Sequence, residues 1–210
     1  MSKQVLIQPL PGGCLGAYSL AGMSGTLNAT LATNDLLFTF QWTDATRYAV
    51  LLHCSIWVAV ATTINAAVAT GIDLCTFYDY FNQHTGGIDL SADLATNSEG
   101  KLNSQFPASL VNDIRIASGN PLELPLVPGA MNNIAIGNAT FGTGTVIGTT
   151  PLLRTVLFER TTNDYPLALN QYEGFGLRMS ANGPLFDATN TGKLRLGVQI
   201  RWLEMTKQTF

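Results

Sequence analysis

The fold is decided near the C-terminus, where ten residues read Lys193-Leu194-Arg195-Leu196-Gly197-Val198-Gln199-Ile200-Arg201-Trp202. Apolar side chains occupy every second position, and polar residues or glycine fill the positions between them. Strict alternation over this length predicts a β-strand with one face in the core and the other in solvent. Residues 174–180 alternate in the same way, and a polar loop separates the two runs. We expect these two runs to pair as antiparallel neighbours.

Shorter runs of the same kind extend towards the N-terminus. Residues 36–42 alternate around Phe38 and Phe40, and a polar turn at 43–46 leads to an apolar run at 47–53, which predicts a second antiparallel pair. Further strand-like runs lie at 56–61, 71–81, 111–116, 134–136, 152–159 and 166–169. The total is about eight to ten strands. Helical spacing is confined to short windows at 65–70 and 91–97, so helix is expected to be a minor component.

A strand-rich chain with long connections must bury the apolar face of one sheet against another sheet. We therefore predict an all-β fold, a jelly-roll-like antiparallel β-sandwich with long loops, in which residues 26–210 form a single domain.

Residues 1–25 contain prolines and glycines and no sustained alternation, which indicates an extended N-terminal arm. Disorder is the alternative, but the arm is too apolar for a solvated tail. We expect it to dock on a partner through its apolar side chains, and the candidate contact residues are Val5, Ile7, Leu10, Leu15, Tyr18 and Leu20.

Charge is sparse in this chain. Only 12% of its 210 residues are charged, and 11 Lys and Arg against 14 Asp and Glu leave a formal charge of -3. An average soluble domain has about 25% charged residues. Neither sign gathers into a run along the sequence, so we expect no attraction to nucleic acid or to an anionic membrane. The longest apolar stretch, 49–61, is shorter than the roughly 18 residues that a membrane span needs.

The residues that could bind metal or form disulfides are few and scattered. The three cysteines, Cys14, Cys54 and Cys75, form no CxxC pair and are odd in number, so we expect buried free thiols. His53 and His84 lie in different segments, and no further metal ligands accompany either of them. The sequence predicts no metal site and no cofactor.

Asp79 with Asp89, or Glu159 with Glu173, could meet across strands, although nothing in the sequence requires it. The other possible catalytic groupings fail on geometry. His53 and Cys54 are consecutive strand residues whose side chains point to opposite faces, so they cannot act as base and nucleophile. Asp73 and Asp79 would stand about 20 Å apart on one strand, too far for a glycosidase pair. The glycine-rich run 142–148 is not followed by a helix that could bind phosphate. We predict no catalytic residues and expect that the protein is not an enzyme.

Several segments resemble a family of tailed-bacteriophage and prophage virion proteins. They are Asp44-Ala45-Thr46-Arg47, the turn 82–87, the run 112–117, the stretch 165–178 and the closing strand 192–204. The resemblance covers roughly residues 34 to 205 and implies a head-associated particle protein, a capsid decoration or cement protein. It implies the major capsid protein or another virion protein as partner, a location on the phage head surface, and synthesis in the host cytoplasm. The family offers no catalytic residues to transfer.

Two other functions are open at this point. One is a receptor-binding or carbohydrate-binding fibre or tail module that grips sugars through Trp42, Trp57 or Tyr78. The other is a small β-sandwich hydrolase acting on polysaccharide. The apolar excess and low charge also predict a homo-oligomer, with a trimer as the expected state, because cyclic symmetry closes a self-complementary apolar patch.

Overall fold

Fourteen β-strands make up the secondary structure of the described residues, and no helix occurs among them. The computed structural model describes residues 13–28, 31–62, 64–65, 70–78, 85–91, 100–111, 113–122, 131–141, 146–147, 154–161, 166–180 and 193–207. The strands are Cys14–Met23 (β1), Leu27–Asn28 (β2), Leu36–Trp42 (β3), Arg47–Thr62 (β4), Ile64–Asn65 (β5), Thr70–Phe77 (β6), Ile88–Asp89 (β7), Asp113–Ile116 (β8), Met131–Phe141 (β9), Val146–Ile147 (β10), Thr155–Glu159 (β11), Leu167–Leu169 (β12), Glu173–Met179 (β13) and Lys193–Thr206 (β14).

Two antiparallel sheets of six strands each form the sandwich. Sheet A has the order β1-β14-β4-β11, with β2 also pairing with β14 and β12 also pairing with β4. Sheet B has the order β7-β8-β3-β13-β6-β9, and β5 and β10 form a separate pair. The chain moves from one sheet to the other between β3 and β4, between β4 and β6, and between β13 and β14. This interleaved strand order is that of a jelly roll, so the predicted fold class is confirmed.

The central strand of sheet A is the alternating C-terminal run. β14 pairs with β4 along one side and with β1 and β2 along the other. Its inward side chains, Leu194, Leu196, Val198, Ile200 and Trp202, are all buried, whereas Arg195 and Arg201 are exposed. The alternation in the sequence therefore predicted both the strand and its buried face correctly.

Both predicted strand pairings are wrong. β13 and β14 lie in different sheets, and so do β3 and β4. At the turn between β3 and β4, Asp44 Oδ1 accepts hydrogen bonds from the backbone N–H groups of Thr46 and Arg47, and the chain crosses from one sheet to the other. Alternation identifies which face of a strand is buried, but it carries no information on the neighbouring strand. The runs at 47–53 and 56–61 also merge into one strand, β4.

The extended arm expected over residues 1–25 differs from the structure in its second half. Residues 14–23 form β1, an edge strand of sheet A that pairs with β14 from Cys14 to Met23. Tyr18 is buried in the hydrophobic core, and Leu20 packs against that core. Backbone hydrogen bonds to β14, which do not depend on an alternating sequence, hold this segment in the sheet. Val5, Ile7 and Leu10 lie outside the described residues.

The outer faces of the two sheets differ in exposure. On the side of sheet B that faces away from sheet A, Thr39, Cys75 and Phe77 are all buried. On the corresponding side of sheet A, Met23 and Val156 are 41% and 48% exposed. The outer side of sheet A is therefore open to solvent over part of its extent, since residues 100–111 cover a small buried cluster on it, whereas the outer side of sheet B is covered at the three positions named.

The three cysteines are free thiols, as expected from the sequence, but the expected burial is wrong for Cys14, which is only partly buried. Cys54 and Cys75 are buried, and burial raises the pKa of the Cys54 thiol to about 12. A thiol that stays protonated at neutral pH is a poor nucleophile, so Cys54 acts as a small core residue. Among the described residues, no helix is long and apolar enough to cross a membrane.

Candidate binding face

The outer side of sheet A presents three rows of side chains, which we call the open face. The first row is Met23, Gly197 and Trp57; the second is Ala21, Gln199, Ser55 and Val156; the third is Ser19, Arg201, His53 and Glu159. Each row crosses β1, β14 and β4, and the second and third rows continue onto β11. The antiparallel register places these residues opposite one another, because paired residues point to the same face of a sheet.

Arg154 lies across the second and third rows and is held there by two contacts. Its Nε donates to Ser55 Oγ at 2.7 Å, and its Nη2 lies 3.0 Å from His53 Nε2. Ser55 is fully buried and His53 is nearly so, so both contacts are made to a buried part of β4. The Arg154 side chain as a whole remains exposed. Its guanidinium is thus oriented by the sheet while keeping N–H groups for a partner.

His53 is held in its neutral form. Burial lowers its pKa first, and the positive charges of Arg154 and Arg201 lower it further, while Glu159 opposes them. The Glu159 carboxylate lies 3.9 Å from His53 Nδ1. A neutral imidazole that accepts from Arg154 at Nε2 must carry its proton on Nδ1, towards Glu159. His53 therefore positions Arg154, and no cluster of metal-ligating side chains occurs in the described part of the chain.

The cations of the open face and its margin have no acidic partner among the residues that the structure describes. Lys193, Arg195 and Arg201 are exposed on the outward side of β14, and Arg195 makes one hydrogen bond, at 3.3 Å, to Thr26 Oγ1. None of these three, nor Arg154, has a carboxylate within ion-pair distance among the described residues. Elsewhere, Arg47 pairs with Glu204 and Arg115 pairs with Asp113. Within the three rows, Glu159 balances the charge of Arg201. The excess positive charge comes from Arg154, which lies across the rows, and from Lys193 and Arg195 at the margin.

Apolar side chains flank the cations. Trp57 is half-buried and lies flat against Gly197, where an added methyl group would come within 1.9 Å of Trp57 Cε2. Glycine at 197 is required by this close approach. Met23 and Val156, the exposed apolar residues of the first two rows, stand on either side of Trp57 and Gln199. The open face therefore combines tryptophan, methionine and arginine.

A second polar centre lies where β14 ends, around the buried carboxylate of Glu204. Ser109 Oγ and the Leu110 N–H donate to Oε1 at 2.5 and 2.9 Å, and Arg47 Nη1 lies 3.4 Å from Oε2. Burial raises the pKa of Glu204, and these three groups oppose the rise. The Tyr18 hydroxyl donates to the Pro107 carbonyl at 3.1 Å. Together these bonds fix the segment 100–111 across the edge of sheet A, so Glu204 has a structural role.

The candidate sugar-binding aromatics are separated by the fold. Trp42 is fully buried, and its indole N–H donates to the Arg47 carbonyl at 3.0 Å, so it is no platform for a ligand. Tyr78 is 43% exposed just beyond β6, and Trp57 lies on the open face. His53 points outward while Cys54 is in the core, which confirms that they cannot act together. His84, Asp79 and residues 142–145 lie outside the described residues.

Sequence reasoning missed the open face. The contact between Arg154 and His53 joins residues 101 positions apart, and no spacing rule connects them. The one available signal was the density of Lys and Arg on the outward side of residues 193–201.

The strand order defines the class of this protein as an antiparallel jelly-roll sandwich. Exposed cations lie on and beside the outer face of sheet A. No family model and no curated protein sequence matches the chain. Among solved structures, the chain is similar to one from Desmodium yellow mottle tymovirus. That alignment covers 100% of this chain and 99% of the viral chain, with 12% identity and a TM-score of 0.23. At such values the similarity adds nothing to the fold assignment, and the tailed-phage resemblance remains a prediction.

Proposed function

We propose that this chain is a structural virion protein of a tailed phage, a capsid decoration (cement) protein that binds and stabilises the head shell. The observation that carries the proposal is the jelly-roll sandwich in which the outer side of sheet A is open to solvent over part of its extent. Jelly rolls are an architecture that viral shell proteins use. A small-molecule site is concave and encloses its ligand, whereas an extended sheet face suits another protein surface. In this proposal the protein has no catalytic activity.

The composition of the open face supports a protein partner. Protein interfaces are enriched in aromatic residues, methionine and arginine relative to the rest of the surface. All three classes occur on adjacent strands of sheet A: Met23 on β1, Arg201 on β14 and Trp57 on β4. The partner in this proposal is the major capsid protein or another virion protein, and the location is the outer surface of the phage head.

Binding to heads tests the proposal directly. Purified protein is added to phage heads that lack it, and the heads are sedimented and then heated. We expect co-sedimentation at a fixed ratio to the shell subunits, together with a higher temperature of head disruption, because a ligand that binds the intact shell stabilises it. An unrelated protein of similar size serves as the control. Absence of co-sedimentation, or binding that leaves the disruption temperature unchanged, contradicts a cement role.

A receptor-binding or carbohydrate-binding module is the second candidate, and Trp57 favours it. A half-exposed indole that lies flat on a sheet offers an apolar surface on which a sugar ring can stack. This function predicts binding to host cells or to their surface polysaccharide, and loss of that binding in Trp57→Ala. Binding of the wild type to host cells with none to heads would place this candidate ahead of the cement role.

We also propose a homo-oligomer, with three copies as the expected state. The exposed apolar residues support a self-complementary contact, and cyclic symmetry closes such a contact without forming filaments. Light scattering of the purified protein then gives three times the chain mass of 22.5 kDa. A mass of 22.5 kDa at micromolar concentration, in the absence of heads, would contradict the trimer.

A further inference from the structure

We infer that the protein docks on the shell through the open face and the cations at its margin, and that the shell surface it contacts is an acidic protein surface. This inference rests on the proposed function and names the contact surface. It replaces the N-terminal arm as the main anchor.

The first step of the argument is the unbalanced charge. Lys193, Arg195, Arg201 and Arg154 lie on or beside the open face without a carboxylate partner among the described residues, and Glu159 is the one acid in its rows. Arg195 and Arg201 are six residues apart on β14, so they form separate positive sites about 20 Å apart. An acidic partner surface is complementary to such a row of positive sites. The chain as a whole is acidic, so the positive charge of this face is a local arrangement.

The second step is the apolar content of the same surface, which favours a protein over a nucleic acid. Met23 and Val156 are 41% and 48% exposed, and Trp57, in the same row as Met23, is half-buried. Protein–DNA interfaces are more polar and more positively charged than protein–protein interfaces. Arginine and tryptophan beside exposed aliphatic side chains are typical of the residues that dominate protein–protein binding energy.

The third step is the preorganisation of Arg154. Its contacts to Ser55 and His53 hold the guanidinium in place before a partner arrives. An arginine that is already oriented loses less side-chain entropy when it pairs with a carboxylate. Because His53 is neutral, it offers no charge to the partner. It affects binding only by positioning Arg154.

The alternative surfaces are less suited to docking. The outer side of sheet B is buried at Thr39, Cys75 and Phe77. The end of the sandwich around Glu204 is closed by the segment 100–111. The part of the arm that forms β1 supplies Tyr18 to the core of its own chain. Among the described residues, the open face is the broad surface that combines exposure with unpaired charge.

The test measures binding of the full chain to phage heads that lack it, at about 0.05 M and about 0.5 M salt. The distance over which charges interact falls several-fold from the lower to the higher salt concentration, so binding through charges weakens. The wild type is compared with the double variant Arg195→Glu/Arg201→Glu. The matched control is Lys101→Glu/Lys207→Glu, which makes the same charge change outside the rows of the open face. A variant lacking residues 1–12, which leaves β1 intact, tests the arm. Thermal unfolding of each variant confirms that it is folded. If the charge-reversal variant Arg195→Glu/Arg201→Glu does not fold, the neutral variant Arg195→Gln/Arg201→Gln takes its place.

We expect the wild type to bind at least about tenfold more weakly at high salt, and the Arg195→Glu/Arg201→Glu variant to lose about tenfold or more at low salt. The control variant and the truncated chain should stay within about threefold of the wild type. If the wild type co-sediments and the folded reversal variant binds equally well, the open face is not the anchor, and the proposed function stands. If the wild type binds heads at neither salt concentration, the proposed function itself fails.

A labelled single-stranded oligonucleotide tests whether the acidic partner is a nucleic acid rather than a protein surface. We expect it to leave the binding of the protein to heads unchanged. Tight binding of the oligonucleotide that depends on Arg195 and Arg201 and displaces the protein from heads would overturn the assignment of a protein surface. If binding of the protein to heads is independent of salt and is lost when residues 1–12 are removed, the N-terminal arm and not the open face is the anchor.

Discussion

Replacing Trp202 with alanine lowers the free energy of unfolding by about 3–5 kcal/mol, the usual cost of truncating a buried aromatic side chain. Trp202 is 1% exposed and stacks on Tyr18, with ring centroids 5.5 Å apart and planes inclined by 24°. It also packs against Phe40 in a T-shaped arrangement, with ring centroids 5.5 Å apart, across the interior of the sandwich. Because Tyr18, Trp202 and Phe40 belong to β1, β14 and β3, this one side chain joins two strands of sheet A to sheet B.

The matched control for this prediction is the neighbouring residue. Arg201 is exposed and points away from the core, so Arg201→Ala should change the free energy of unfolding by no more than about 0.5 kcal/mol. Urea unfolding followed by circular dichroism gives both values. Equal urea midpoints for the two variants would contradict the assignment of the two faces of β14.

Replacing Glu204 with alanine should lower the free energy of unfolding by about 2–4 kcal/mol. The substitution leaves the Ser109 hydroxyl and the Leu110 N–H without their acceptor, and each orphaned buried donor costs about 1–3 kcal/mol. Glu159→Ala is the control, because the Glu159 side chain is 67% exposed and its contact with His53 is long. Equal losses in the two variants would show that the segment 100–111 does not depend on Glu204.

Titration of Glu204 makes the stability of the protein depend on pH, and the direction follows from its raised pKa. Burial raises its pKa above the ordinary glutamate value, so the folded chain binds this proton more tightly than the unfolded chain does. Stability is therefore lost as pH rises from the ordinary pKa to the raised one. Glu204→Gln keeps a side-chain oxygen and removes the titration. We expect the wild type to gain stability relative to Glu204→Gln when the pH is lowered from about 7 to about 4. A difference that is constant or has the opposite sign would contradict the raised pKa.

The sequence was sufficient to predict the all-β class and the core residues of β14 and β3. At residues 193–202 the alternation predicted the buried set on β14 correctly, and Trp42, Phe38 and Phe40 on β3 are likewise buried. Alternation is a local property, because successive side chains of any strand point to opposite faces. The jelly-roll class followed from strand number and loop length, since a sheet with one apolar face must bury it against a second sheet.

The pairing of strands could not be predicted from the same pattern. Residues 174–179 and 193–202 alternate alike, yet β13 pairs with β3 and β6 in one sheet while β14 pairs with β1 and β4 in the other. The N-terminal segment shows the converse case. Glycines and Ser19 interrupt its apolar pattern, and it becomes strand β1 because β14 offers a free edge of hydrogen-bonding groups and Trp202 offers a ring for Tyr18.

By itself, the sequence determined that this protein has few charges, that neither sign forms a run, and that one strand near its C-terminus has an apolar and a basic face. Only the tertiary structure decided that Arg154 joins that basic face and that Trp57, Met23 and Val156 stand beside it. The physical reason is the range of each interaction. Alternation acts between neighbours along the chain, whereas a binding face is made by the register of strands that are more than a hundred residues apart.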